Sequence, residues 1–249
     1  MGGRHGNGMA KNKRLCCGGS IALAVGSAAN LVWDVSDLSS EASHESACLP
    51  ACDASHGQGG AMIAVVIPAH NEAELVGACL VLVLAAARSP ELQGERVLVV
   101  ADSCSDDTVR IAEAADAIAI ATYCRNVGQA RAVDAARALD AGARWLAFTD
   151  ADTVVAPDWL AVQLSLQADA VCGTVAVEDW HDYGERMRIH CACSYKDRDG
   201  HRYIHGANLG VCAHAYQRAG GFVPLQSSED VALAMRRAPL RFASLNIWP

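Results

Sequence analysis

The sequence predicts an α/β protein built on a mostly parallel sheet with helices on both faces. Three observations carry that reading. Four short apolar runs, Met62–Ile67, Arg96–Val100, Ala117–Thr122 and Arg144–Thr149, read as strands buried on both sides. Helical patterns alternate with them over short links, as in βαβ units. Each run also ends in a polar or acidic segment, so the exits share one edge of the sheet, where open α/β folds bind ligands.

The first run closes at Pro68. P-A-H-N-E, Pro68 to Glu72, then opens a helical pattern through Leu75, Cys79, Leu82 and Ala86, with Asn71 as N-cap and Glu72 in the first turn. The second run leads into A-D-S-C-S-D-D-T, where Ser105, Asp106 and Asp107 can cap a helix over Val109–Ala115. Asp102 is not needed for that cap and is a candidate for holding a base or ribose.

The third run leads into R-N-V-G-Q-A-R and a long Ala-rich helix to about Ala141. Gly128 at the helix start permits close backbone approach, and the N-terminus beside Arg125 and Arg131 suits a phosphate. The alternative is an ordinary glycine with solvated arginines. The fourth run ends in F-T-D-A-D-T. Residues two apart in extended chain point the same way, so Asp150 and Asp152 converge and suit a hard divalent cation such as Mg²⁺ or Mn²⁺. An Asp-rich turn and helix N-cap is the alternative there.

Further along, Trp159–Leu166 reads as a helix and Ala170–Val177 as a strand. Glu178–Arg202 reads as a long loop or irregular helix over the site, and Tyr203–Val211 as another strand. Gly206 and Gly210 would let backbone pack near a ligand. His205 is either a base or ligand, or a hydrogen-bonded structural residue. Ala213–Ala219 looks helical, and S-S-E-D, Ser227 to Asp230, opens the last helix with Ser as cap and acids in its first turn.

Composition bounds the rest. The chain has 249 residues, 52% hydrophobic and 19% charged, enough for one domain with a sizeable core. A formal net charge of −8 without a dense basic stripe argues against nucleic-acid binding. Eleven cysteines, most of them single within apolar runs, as Cys79, Cys172 and Cys212 are, fit buried thiols in a reducing compartment. His190, Cys191 and Cys193 lack a second pair at zinc-site spacing.

Residues 1–60, rich in Gly, Ser, Ala and His, read as a disordered extension ahead of a domain over 61–249. Lys11–Arg14 followed by Leu15–Trp33 mimics a signal peptide, but Gly, Ser and Asn dilute the apolar run. No stretch supplies the roughly 20 apolar residues of a membrane span. The expected location is cytoplasmic, with peripheral contact at the inner face of a membrane as the second option.

Taken together, V-V-I-P-A-H-N-E, V-V-A-D-S-C-S-D-D-T, R-N-V-G-Q-A-R-A, F-T-D-A-D-T, H-G-A-N-L-G-V and G-G-F-x(5)-S-E-D-V-A-L occur in an order that resembles the family 2 glycosyltransferases, over about Met62 to Arg237. The resemblance implies a GT-A, Rossmann-like fold and an inverting, metal-dependent transfer of sugar from a nucleotide-diphosphate sugar. It sets Pro68, Ala69, Asn71 and Glu72 against the nucleoside, Asp102 near its base, and Asn126, Gly128 and Arg131 along the nucleotide. Asp150 would face ribose or metal and Asp152 the metal, Mg²⁺ or Mn²⁺. His205, Gly206 and Asn208 would line the donor-sugar or acceptor pocket, and Asp230 would be the general base with Glu229 beside it.

The acceptor, whether glycan, lipid or small molecule, is not specified. Family members usually continue past the E-D helix with another strand, so the domain is expected to be C-terminally short. Two alternatives stand beside this reading. One is a catalytically impaired nucleotide-sugar-binding module with the same fold. The other is a nucleotidyltransferase, which would ordinarily carry a Gly-rich, Lys- or Arg-bearing loop after the first strand.

Overall fold

The computed structural model describes residues 13–14, 62–89, 92, 95–177, 180, 184–195, 203–235 and 240–245. The expectation of disorder over residues 1–60 lies outside the described residues, apart from the two-residue strand β1, Lys13–Arg14.

The first of the sequence-predicted strands is β2, Ile63–Ala69, and Ile63 to Ile67 have no exposed surface. Such a run, apolar at every position, cannot face water on either side and becomes a central strand. Pro68 continues it. Thr149 N–H donates to Val66 O at 3.2 Å and Arg144 N–H to Met62 O at 2.9 Å, so the even-numbered residues of β2 turn their backbone toward the fourth predicted strand. Pairing on that side ends at Val66, so the missing N–H of Pro68 costs no ladder bond.

β3 (Glu95–Asp102), β4 (Ile118–Thr122) and β5 (Trp145–Phe148) are the other three predicted strands. All run parallel to β2, in the order β5-β2-β3-β4. The connecting helices are α1 (Val76–Ala87), α2 (Thr108–Ala114) and α3 (Val127–Asp140). Right-handed crossovers put α1 and α2, which step toward β4, on one face, where they pack together. α3 steps back from β4 to β5 and so takes the other face. The crossover direction therefore reverses between β2 and β5, and a crevice opens at their carboxyl ends.

β6 (Thr153–Val154), α4 (Trp159–Ser165), β7 (Ala170–Gly173), β8 (Ala176–Val177) and α5 (Gly184–Ser194) follow. The predicted strand Ala170–Val177 is thus two strands. A 3-10 turn, Gly206–Asn208, precedes β9 (Leu209–Cys212), α6 (Ala213–Ala219), α7 (Glu229–Ala234) and β10 (Phe242–Leu245). The main sheet has the order β10-β7-β9-β5-β2-β3-β4, and β9 alone among them runs antiparallel to its neighbours. A small second sheet pairs β1 between β6 and β8.

β10 lies after Arg237, where the sequence reading found no strand. Asp169 is buried and tethers it, accepting from Arg241 N–H and Nη2–H at 3.2 Å each. Cys212, read from sequence as a buried thiol, is disulfide-bonded. Cys79, Cys104, Cys124, Cys172, Cys191 and Cys193 are free. No described helix is long and apolar enough to cross a membrane.

Candidate active site

The exits of β2 to β5 come together at the carboxyl edge, laced by side-chain-to-backbone bonds. Asn71 does not cap α1, which starts at Val76 with Leu75 as its N-cap residue and no side-chain cap. It has a left-handed backbone (φ 56°), and its Oδ1 instead accepts from Ser105 N–H at 2.8 Å, joining the β2 exit to that of β3. The neighbouring links are Glu72 N–H to Thr108 Oγ1 at 2.9 Å and Ala73 N–H to Asp106 Oδ2 at 3.0 Å. His70 Nδ1–H donates to Asp102 O at 2.6 Å. Asp106 also serves α2, accepting from Thr108 N–H at 3.1 Å.

Asp102 is buried, and its carboxylate is spent within the chain. Oδ1 accepts from Cys124 N–H at 2.6 Å and Thr122 Oγ1–H at 3.2 Å, and Oδ2 from Asn126 N–H at 3.2 Å. Burial works against its charge, but these amides, that of Arg125 and the Thr122 hydroxyl hold its carboxyl below the usual range. The residue expected to meet a base is therefore also the anchor of the 122–126 loop. Asn126 then caps α3, its Oδ1 accepting from Gln129 N–H at 2.9 Å.

Arg131 lies at the centre. Sequence reasoning offered it to a phosphate or to solvent, and the structure buries it at 3% exposure between two acids. Its Nη2 meets Asp150 Oδ1 at 2.6 Å and its Nη1 pairs with Glu229 Oε1. The guanidinium also stands 6.0 Å from the centre of the Phe222 ring. Burial opposes its charge, and Asp150, Glu229 and Asp230 overcome that opposition. Burial pushes the Glu229 carboxyl above its ordinary range, with Arg131 pulling the other way.

Three glycines allow this packing. A Cβ on Gly206 would collide with the Arg131 guanidinium. The Gly206 N–H donates to Asp230 Oδ2 at 2.6 Å, and Val231 N–H to Asp230 Oδ1 at 2.8 Å. A Cβ on Gly128 would collide with Val223 O and sit 3.0 Å from both Leu225 O and Glu229 Cβ. The close approach read at Gly128 is thus made by the chain's own 223–225 loop, which Gly128 N–H and Asn126 Nδ2–H hold through Leu225 O and Pro224 O at 3.3 and 3.2 Å. That loop ends at Ser228 (φ 60°), which precedes α7 without a side-chain cap, contrary to the expected Ser cap. A Cβ on Gly173 would collide with the Asn208 amide.

Asn208 is 1% exposed. Its Oδ1 accepts from Trp159 Nε1–H at 3.0 Å and its Nδ2–H donates to Thr174 O at 2.9 Å. It braces α4 against the strand end of β7. His205 stacks in a ring cluster with Tyr195 and Tyr203, its Nε2 3.2 Å from Tyr195 OH.

At the tip of β5, the Cys79 thiol donates to Asp150 O at 3.4 Å. Burial pushes that thiol up to about 12, and the carboxylates of Asp152 and Asp150 both add to the shift. Among the described residues, no group of three or more His, Cys, Asp or Glu forms a metal cage. The edge thus gathers Ala69, Asp102, Asp150, Asp152, Gly206, Glu229 and Asp230. Sequence reasoning missed His70, Cys79 and Phe222, and only the apolar context of Cys79 hinted at burial.

The family model for glycosyl transferase family 2 matches residues 64–219. No curated protein matches the chain. Among solved structures, residues 1–349 of TarS from S. aureus in complex with UDP match at TM-score 0.57 and 16% identity, covering 74% of this chain and 58% of that one. The same protein with UDP-GlcNAc matches at 0.57 and 16%, covering 74% and 56%. The mannosyltransferase PcManGT from Pyrobaculum calidifontis, with GDP-Man and Mn²⁺, matches at 0.52 and 18%, covering 74% and 56%. The chain spans somewhat over half the length of these chains, and at such identities the likeness is one of fold.

Proposed function

The chain belongs to glycosyl transferase family 2 and has the GT-A fold, and from that membership we propose that it moves a sugar from a nucleotide-diphosphate sugar to an acceptor hydroxyl, with inversion at the anomeric carbon. Residues 61–249 are the catalytic unit in this reading. The observation that carries it is the Asp150–Arg131–Glu229 bridge, which holds the tip of β5 and the Glu229–Asp230 turn on one guanidinium.

The nucleoside would lie along the β2 and β3 exits, against Pro68, Ala69, Asn71 and Glu72, with Asp102 shaping the floor through the loop it anchors. Asn126, Gly128 and Arg131 would border the nucleotide indirectly, by fixing the loop over it. Asp230 is the base. Each of its oxygens accepts one backbone N–H, and a carboxylate has about four lone-pair sites, so it retains capacity for an acceptor O–H. As the acceptor oxygen attacks the anomeric carbon, its proton passes to Asp230. The bond to the diphosphate breaks with its electron pair leaving on the nucleotide. Positioned proton transfer of this kind contributes about 10² to 10⁴ in rate. Glu229 and Arg131 keep that carboxylate in place, while His205, Gly206 and Asn208 frame the pocket from the β9 side.

Asp152 and Asp150 fit a divalent cation, Mg²⁺ or Mn²⁺. The two lie two residues apart at the exit of β5, and such a cation needs only one or two carboxylates when substrate phosphates complete its shell. Asp150 gives one oxygen to Arg131, and Asp152 is the principal ligand in this reading. When bound, the cation would stabilise charge on the departing diphosphate.

The test is calorimetric titration of UDP and GDP, with and without Mn²⁺, against the native chain and Asp152→Ala. Metal-dependent binding that disappears in the variant supports the donor site. Absence of binding to either nucleotide under any metal overturns it. With an acceptor in hand, turnover that survives Asp230→Asn would remove Asp230 as base.

A further inference from the structure

β4 closes one side of the main sheet and pairs with β3 alone among the described strands. Ser103 N–H donates to Thr122 O at 2.8 Å, so Ile118, Ile120 and Thr122 turn their backbone groups toward β3. Ala119 and Ala121 therefore direct theirs outward. Natural edge strands are usually guarded by Pro, charge or a bulge, and I-A-I-A-T has none of these. Ile118 remains 42% exposed and Tyr123, just beyond the strand, 87%.

Ile118 and Ile120 also line an open hollow of about 380 Å³ with Met62 and Ala138, and Arg137 and Asp140 from the end of α3 stand at its rim. The charges flanking β4 are sorted by sign. Glu113 and Asp116, both exposed, precede the strand, and Arg125, also exposed, follows it. The side chains of Asp116 and Arg125 form no ion pair among the described residues.

We propose that β4 pairs antiparallel with β4 of a second copy, about a two-fold axis beside Ile120, joining the two seven-stranded sheets into one. This register sets Ala119 opposite Ala121 of the second copy, and the outward N–H and C=O groups then close reciprocal ladder bonds. Ile120 meets its own counterpart at a non-hydrogen-bonded position, where side chains lie closest. The antiparallel sense carries Asp116 of each copy to the level of Cys124 of the other, next to Arg125. Acid meets base at both ends, whereas parallel pairing would set like charge beside like. Arg137 and Asp140, carried on one patch, are self-complementary across the same axis.

The experiment is light scattering of the full 249-residue chain across a concentration series, beside three variants. The native chain is expected at twice 26.1 kDa. Ala121→Pro removes an outward N–H without touching the β3 ladder and is expected to return the monomer mass with unchanged circular dichroism. Arg125→Asp sets acid against Asp116 of the second copy and is expected to weaken association about tenfold or more. Arg125→Asp combined with Asp116→Lys is expected to restore it, and this pair decides the question should Ala121→Pro fail to fold. A native chain that stays monomeric at every concentration, or a dimer indifferent to the charge reversal, overturns the proposal.

Discussion

Replacing Arg131 by Met removes the cation from between Asp150 and Glu229 while keeping a long apolar stem. The Arg131 and Glu229 side chains are 4% and 5% exposed and Asp150 is 20% exposed, so the two carboxylates would face each other with little water to screen them. Breaking a buried pair from one side costs about 3–5 kcal/mol. At about 2–4 °C per kcal/mol for a domain of this size, the melting temperature should drop by roughly 10 °C. The loss should depend on pH. Burial already raises the Glu229 carboxyl above its ordinary range, and Met takes away the charge that opposes this.

An acid whose folded pKa lies above its unfolded value contributes stability at low pH that is lost as pH rises through the folded value. The deficit against the native chain should therefore widen from about pH 5 to about pH 8. Arg131→Met combined with Glu229→Gln removes one of the stranded charges and should recover more than half of the loss. Urea denaturation of the three proteins at both pH values reads all of this. An Arg131→Met variant within about 1 kcal/mol of native at the higher pH would refute the reasoning, as would a double variant less stable than the single.

Four further outcomes follow from the structure. Asp134 on α3 is wholly buried, neither of its oxygens has a hydrogen-bond partner among the described residues, and burial lifts its carboxyl to about 7. Its folded pKa is the higher one, so its own contribution to stability should fall as pH rises from about 4 through 7, and Asp134→Ala should remove that component and gain about 1–3 kcal/mol over the native chain at the top of the range. Gly128→Ala should cost about 1–3 kcal/mol in denaturation and weaken UDP binding, because its methyl collides with the loop that leads to Glu229. Gly77→Ala in α1 meets only Ile111 Cγ2 at 3.3 Å and should be neutral or stabilising by about 0.5–1 kcal/mol. Asp169→Asn should loosen β10, read as faster proteolysis of the C-terminal end with α1 to α3 unaffected.

The parallel half of the sheet was legible because burial on both faces leaves an unmistakable mark: no polar residue can occupy Met62–Ile67 or Trp145–Phe148. The carboxyl-edge position of Asp102, Asp150 and Asp152 followed from that. What pattern could not reveal was who bonds whom. An arginine in an Ala-rich helix looks solvated until its partners, 19 and 98 residues away, are known. Asn71 has the chemistry of an N-cap, but a left-handed backbone aims it at Ser105 instead. Gly128 signalled a close approach without saying what approaches. β10 was missed because Phe242–Leu245 is too short to show a period, and it is held by Asp169, far back in the chain.

The two arms of the Arg131 bridge differ in age. The arm to Asp150 closes a short loop within the βαβ region, and both ends have left the ribosome long before Glu229 is made. The arm to Glu229 must wait for the 3-10 turn, β9 and α6 to be synthesised and packed. Chains grow from the N-terminus, and units tend to fold as they emerge. The edge formed by the β2 to β5 exits can thus be set in register while the Glu229–Asp230 turn does not yet exist. Docking of α7 is then the event that closes the bridge, and until it occurs the nascent protein holds one half of the Arg131 pairing without the other.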